Sequence, residues 1–149
     1  DRPQRSIHRA RVPDVLKRGE AIMVADLACV GETGKVKFPF YGIKNADEGP
    51  AVMLYLLGKS MVGLRAEELV ALGDALKART GKKEEMIPHG RPCISAAHAF
   101  AVRPDLFKNV QCLRSPKSWG ESVRTSAMVP FADVVNGALL DYDWTDLLK

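Results

Sequence analysis

No run in this 149-residue chain approaches the roughly 18–20 consecutive apolar residues that a membrane-spanning helix needs. The first residues are charged, and no apolar segment of the kind a secretory leader carries follows them. That lack points weakly to a cytoplasmic site, while an opening on Asp1 rather than Met reads as that of a processed or excised piece. Cysteine is scarce: Cys29, Cys93 and Cys112 are odd in number, form no C-x-x-C pair and lie in or beside apolar segments. They are predicted to be buried free thiols, with little support for a disulfide or a zinc site. His8, His89 and His98 fall at no metal-ligand spacing. Asp141, Asp143 and Asp146 cluster, but without the glycine and ligand rhythm of a calcium loop. Neither a metal nor a cofactor is expected. Internal repeats, low-complexity tracts and a linker dividing the chain are also missing.

The charge that is present is uneven. Arg2, Arg5, Arg9, Arg11, Lys17 and Arg18 face only Asp1 and Asp14 in the first eighteen residues, within a net charge of +4. Phosphate contacts need only such charges. No aromatic residue interleaves them, so the stacking platform of a single-strand binder is missing and nucleic acid is not favoured as a partner. Residues 1–12 are read as a solvated basic lead-in, and residues 13–149 as one domain. With 46% hydrophobic and 27% charged residues, that domain belongs among globular chains with a true core.

The segments alternate in type. Residues 13–19 predict a short helix, with Asp14 in its first turn and Gly19 at its end. Ala21–Leu27 is a nearly continuous apolar run that predicts a strand covered on both faces. A long loop over 31–49 follows, with Phe38, Pro39, Phe40 and Tyr41 as its apolar patch. Helical spacing then runs from Pro50 to Thr80, bent or divided at Gly58 and Gly63, with Gly81 at the stop. A short strand precedes a Gly-containing turn within residues 85–100. A helix over 95–102, a strand over 110–113 and two short helices over 131–140 and 144–148 complete the chain. Strand alternating with helix predicts an α/β fold with a doubly wound, mainly parallel sheet.

One motif misleads. Residues 29–36 resemble a phosphate-binding loop, but Cys29 replaces its first glycine and Val36 the magnesium-binding hydroxyl. The following Lys37-Phe38-Pro39-Phe40 cannot begin the helix that such a loop requires.

Five segments in order carry a family resemblance. Ala25 to Thr33 resembles D-L-R-G-x-G-E-T, and Leu57 to Glu68 resembles L-G-R-S-x-x-G-M-R-A-E-D. Ala97 to Phe107, Leu113 to Trp119 and Val134 to Leu147 continue the likeness. Together they are similar to α/β-hydrolases akin to bacterial acetyl xylan esterases. The resemblance implies a partial α/β-hydrolase core, carboxyl-ester chemistry where the catalytic parts are present, and an exported or periplasmic setting.

The same resemblance makes residues 85–100 the place of a nucleophile elbow, a sharp turn between strand and helix. The turn residues His89, Gly90, Pro92 and Cys93 are the candidate site. Gly90 fits the small position two before the nucleophile, which puts Pro92 where a hydroxyl or thiol should be. Ile94 fills the second small position with branched bulk. Cys93, one residue along, is a candidate thiol nucleophile on a shifted register, with Arg91 and His89 near enough to lower its pKa. Ser95 reads as a first-turn helix residue, His98 as a satisfied helix histidine, and Arg65 with Glu67 and Glu68 as a solvated helix face. The acid and histidine of a triad belong beyond Lys149 in this family's order. The expectation is therefore a domain that has lost catalysis and serves as a scaffold or interaction unit. The alternative is an esterase completed by further segments. In either case apolar faces are left to be covered by the rest of its own fold, another chain or a second copy.

Overall fold

A computed structural model describes residues 13, 15–35 and 46–149. The basic lead-in at 1–12, Asp14 and the apolar patch at 38–41 lie outside the described residues. Residues 15–17 form a helical turn that ends where Gly19 takes a left-handed φ of +73° and donates its N–H to the Leu16 carbonyl at 3.0 Å. A 3-10 turn covers Gly31–Lys35.

Two helices then divide the expected run. Helix α1 (Glu48–Leu56) stops before Gly58, whose φ of +71° lets the chain reverse. Ser60 opens helix α2 (Met61–Thr80), its hydroxyl accepting the Gly63 N–H at 2.9 Å. Only Gly58 divides the run, because Gly63 sits inside the first turn of α2. Gly81 closes α2 in the left-handed conformation, its N–H reaching the Lys77 carbonyl at 2.8 Å.

Strand β1 (Glu84–Met86) pairs in parallel with strand β2 (Phe107–Val110), and helix α3 (Pro92–Val102) forms the connection. The pairing resumes as a single bridge between His89 and Leu113. Pro88 lies between the two stretches and has no N–H to give to the ladder, so the strand ends early. Helix α4 (Trp119–Arg124) and 3-10 turns at Phe131–Asp133, Ala138–Leu140 and Trp144–Leu148 follow. The architecture is thus mixed helix and strand, with a two-stranded parallel sheet among the described residues. No described helix is long and apolar enough to cross a membrane.

Helix α3 organises the core. Cys93, Ile94, Ala97, Val62, Trp119, Ala138 and Trp144 form one buried cluster. On the other side Ala66, Ala99, Leu106 and Phe107 form a second. Alanine at 96, 97 and 99 is what lets α2 and the Trp144 turn approach α3 so closely, since each is at most 1% exposed.

Several expectations need correction. Ala21–Leu27 is not a strand: it has no regular structure, and Ile22, Met23 and Val24 are 38%, 51% and 65% exposed. Its composition suits a sheet, but a strand exists only through its neighbours, and no described segment pairs with it. The second strand lies at 107–110 rather than 110–113, and α3 begins three residues before Ser95, with Pro92 in its first turn. Residues 131–140 hold two 3-10 turns instead of a helix, separated by Gly137 at a φ of +79°.

Candidate functional site

The turn between β1 and α3 brings His89, Gly90, Pro92 and Cys93 together. Gly90 takes the left-handed φ, +72°, and Arg91 is already in helical conformation at φ −55° and ψ −36°. The bend therefore rests on a glycine, and Pro92, whose fixed φ suits a first helical position, continues directly into α3. A nucleophile elbow instead holds its reactive residue at a strained tip. Pro92, where the resemblance expects the nucleophile, is a ring without hydroxyl or thiol.

Cys93 does not replace it. The residue is 0% exposed, and its Sγ lies 3.6 Å from the Pro88 carbonyl and 4.0 Å from that of Leu113. A hydrogen bond with Cys112 and burial both push its ionisation well above the ordinary thiol range. Its thiol presents no exposed surface to a substrate. Cys112, half-buried, moves the other way, because the bond from Cys93 favours its thiolate against the effect of burial.

His98 is satisfied on both nitrogens. Nδ1 lies 2.7 Å from the Ile94 carbonyl, which can only accept, so Nδ1 carries the proton and Nε2 accepts the Tyr142 hydroxyl at 2.9 Å. Burial lowers its pKa, which suits this neutral form. His89 differs: its Nε2 is buried and has no hydrogen-bond partner among the described residues.

Beside this turn lies a buried charge group that the sequence reading missed. Arg65 and Asp47 pair at 3.0 Å, with side chains 2% and 4% exposed. Arg91 reaches over both acids, with Nη2 2.7 Å from Asp47 Oδ2 and Nε 2.5 Å from Asp133 Oδ2. Arg65 also faces Asp133 at 3.9 Å and donates Nε–H to the Ala28 carbonyl at 2.9 Å. The Ala28 N–H in turn binds Glu68 at 2.9 Å. Burial pushes the Asp133 carboxyl up, and Arg91 pulls it part of the way back.

Arg65 and Glu68 are therefore not a solvated face. They clamp the segment entering the Gly31–Lys35 turn onto α2, while Arg91 ties the start of α3 to residues 47 and 133. One signal for this was available: Arg65 falls in the buried stripe of Met61, Val62 and Ala66 at helical spacing. Asp47 and Asp133 carried no comparable signal.

A cavity of about 520 Å³ opens between these parts, with Cys29, Asp47, Arg65, His89, Arg91 and Pro92 on its walls. Its wall carries Arg65 and Arg91 against Asp47, while Asp133, outside the lining, also pairs with both arginines. None of the described turn residues offers the cavity an accessible nucleophile, and the half-buried Cys29 on its wall has its thiol pushed up by burial. Comparison with family models, curated proteins and solved structures returned no match.

Proposed function

We propose that this chain is an α/β-hydrolase-like domain, related to the acetyl xylan esterase type, that has lost catalysis and works as a scaffold or interaction unit. The doubly wound sheet belongs to this proposal, as does the reading of residues 13–149 as a partial hydrolase-like domain. The observation that carries the loss of catalysis is at the turn: Pro92 occupies the nucleophile's place, and Cys93 beside it is 0% exposed, where burial pushes its thiol up. The interaction role draws on exposed apolar side chains. Leu56, Leu57 and Leu140 are 72%, 75% and 88% exposed. Tyr55 and Phe131 meet edge to face at 5.6 Å while remaining half in solvent. Such side chains suit burial against the rest of its own fold, another chain or a second copy.

The test is turnover of p-nitrophenyl acetate by the purified chain and by Cys93→Ala. The expected result is no turnover by either. Turnover that disappears in Cys93→Ala would overturn the proposal. A second reading, an ester hydrolase whose triad is completed by further segments, is favoured by the unpartnered His89 Nε2 beside the cavity. Turnover that survives Cys93→Ala and is lost in His89→Gln would select it.

A further inference from the structure

Cys93 and Cys112 lie far apart in sequence and suggest no pair. The parallel bridge of His89 with Leu113 changes that, because it sets the residue after Cys112 beside the turn that leads into Cys93. The Gly90 N–H reaches the Leu113 carbonyl at 2.8 Å, and the Leu113 N–H reaches that of Pro88 at 2.9 Å. The same two carbonyls are the ones near Cys93 Sγ, at 4.0 and 3.6 Å. Cys112 packs against the buried cluster that contains Cys93. Both cysteines therefore border one buried cluster, between the start of α3 and the segment that follows β2. Cys29 belongs to a different cluster, with Ala51, Met61 and Ala132.

We propose that Cys93 and Cys112 form an intramolecular disulfide when the protein meets a peroxide, with Cys112 as the attacking thiol and Cys93 as the resolving one. The division of roles follows from exposure. Cys112 is half-buried and open to a small oxidant, whereas Cys93 is 0% exposed and meets only its neighbours. The neighbouring Cys93 thiol also lowers the pKa of Cys112, against the effect of burial, and so favours its more nucleophilic form. In the first step the Cys112 thiolate attacks one peroxide oxygen. A sulfur–oxygen bond forms, the oxygen–oxygen bond breaks, and the departing hydroxide takes a proton to leave as water. In the second, Cys93 gives up its proton and attacks the Cys112 sulfur. The sulfur–sulfur bond forms as the sulfur–oxygen bond breaks, and a second water leaves. Two thiols lose two electrons, and one peroxide becomes two waters. The crosslink would pin the start of α3 to the segment that follows β2, across the bend on which the candidate site is built.

The experiment uses the full chain treated with hydrogen peroxide near equimolar ratio, quenched with an alkylating reagent under denaturing conditions and mapped by mass spectrometry. The expected product is a 93–112 linked peptide, with a mass loss of about 2 Da and Cys29 still alkylated. Intermolecular dimers through Cys29, or a sulfinic acid on Cys112 with Cys93 still alkylated, would overturn the proposal. In Cys112→Ser, Cys93 is expected to lose its thiol at least tenfold more slowly. An unchanged rate in that variant would count equally against it. The mapping of the unsubstituted chain stands on its own should a variant fold poorly.

Discussion

Ala21–Leu27 and Cys93–Ala99 are equal in length and largely apolar, yet the chain treats them in opposite ways. In the first, only Leu27 is buried, and Val24 is 65% exposed. In the second, every residue but His98 is buried, and none of those buried exceeds 2% exposure. The first has the branched residues that favour strands, and the second has small residues with a proline at the helix start. The difference is one of neighbours. Helix α3 has α2, β2, Trp119 and Trp144 around it, whereas no described segment lies alongside residues 21–26 to form a ladder. Local preference decides what a segment is able to form; burial decides whether it does.

The comparison breaks most visibly at the charges that join the two regions. Arg65→Ala leaves Asp47 and Asp133 buried with Arg91 as their remaining cation and frees the Ala28 carbonyl. The expected loss is about 3–5 kcal/mol in denaturant unfolding. A loss under about 1 kcal/mol would mean that these carboxylates relax into solvent and that the clamp is weak. Next in size is Ala97→Leu. A larger side chain at a residue 0% exposed in α3 must displace Val62, Trp119 or Trp144, at a cost of about 1–3 kcal/mol. A neutral result would show that α3 packs more loosely than its exposure indicates.

A smaller effect is expected at Asp143. Its carboxylate receives the N–H groups of Trp119 at 3.0 Å and Gly120 at 2.8 Å, at the start of α4. Burial pushes its pKa up, but these backbone donors and Ser118 outweigh that and hold it below the ordinary aspartate value. With the folded value depressed, the unfolded chain takes up the proton first as pH falls. The stabilisation is therefore complete above the ordinary aspartate value and lost as pH drops through the folded one. Asp143→Asn is expected to cost about 1 kcal/mol at neutral pH, as a lost helix cap does, and to flatten this part of the acid limb. His98 acts in the same direction at higher pH. Burial depresses its pKa, so the unfolded chain protonates first and stability falls as pH drops from 6.5 toward the folded value. Urea midpoints followed across that window in His98→Gln should lose this slope.

What could be read from the sequence follows the same division. Helix boundaries at Gly19, Gly58 and Gly81 were legible because left-handed glycine is a local signal. The turn at Gly90 was equally plain from its residue type. The missing strand at 21–27, the pairing of Arg65 and Arg91 with Asp47 and Asp133, and the meeting of Cys93 with Cys112 were not legible. Each depends on which distant segments come together, and no single window contains both members. Arg65 shows the limit well: its charge suggested solvent, while its place in the stripe with Met61, Val62 and Ala66 suggested the core. The stripe was the better guide, because two buried carboxylates compensate the charge.

The smallest expected effect is also the one that separates the two regions most sharply. Val24→Ser replaces a 65% exposed side chain in a segment without regular structure, so the unfolding free energy of the isolated chain should change by no more than about 0.5 kcal/mol. The same replacement should matter to assembly if the exposed apolar run is a surface to be covered, because each buried valine side chain adds roughly 1.5–3 kcal/mol to burial. Urea unfolding of the chain and of Val24→Ser reads the first effect, and sedimentation of both over a range of concentrations reads the second. An unchanged midpoint with weakened association assigns residues 21–27 to contact with another surface. A drop in stability as large as that of Ala97→Leu would instead make this run part of the core, and the contrast between the two segments would collapse.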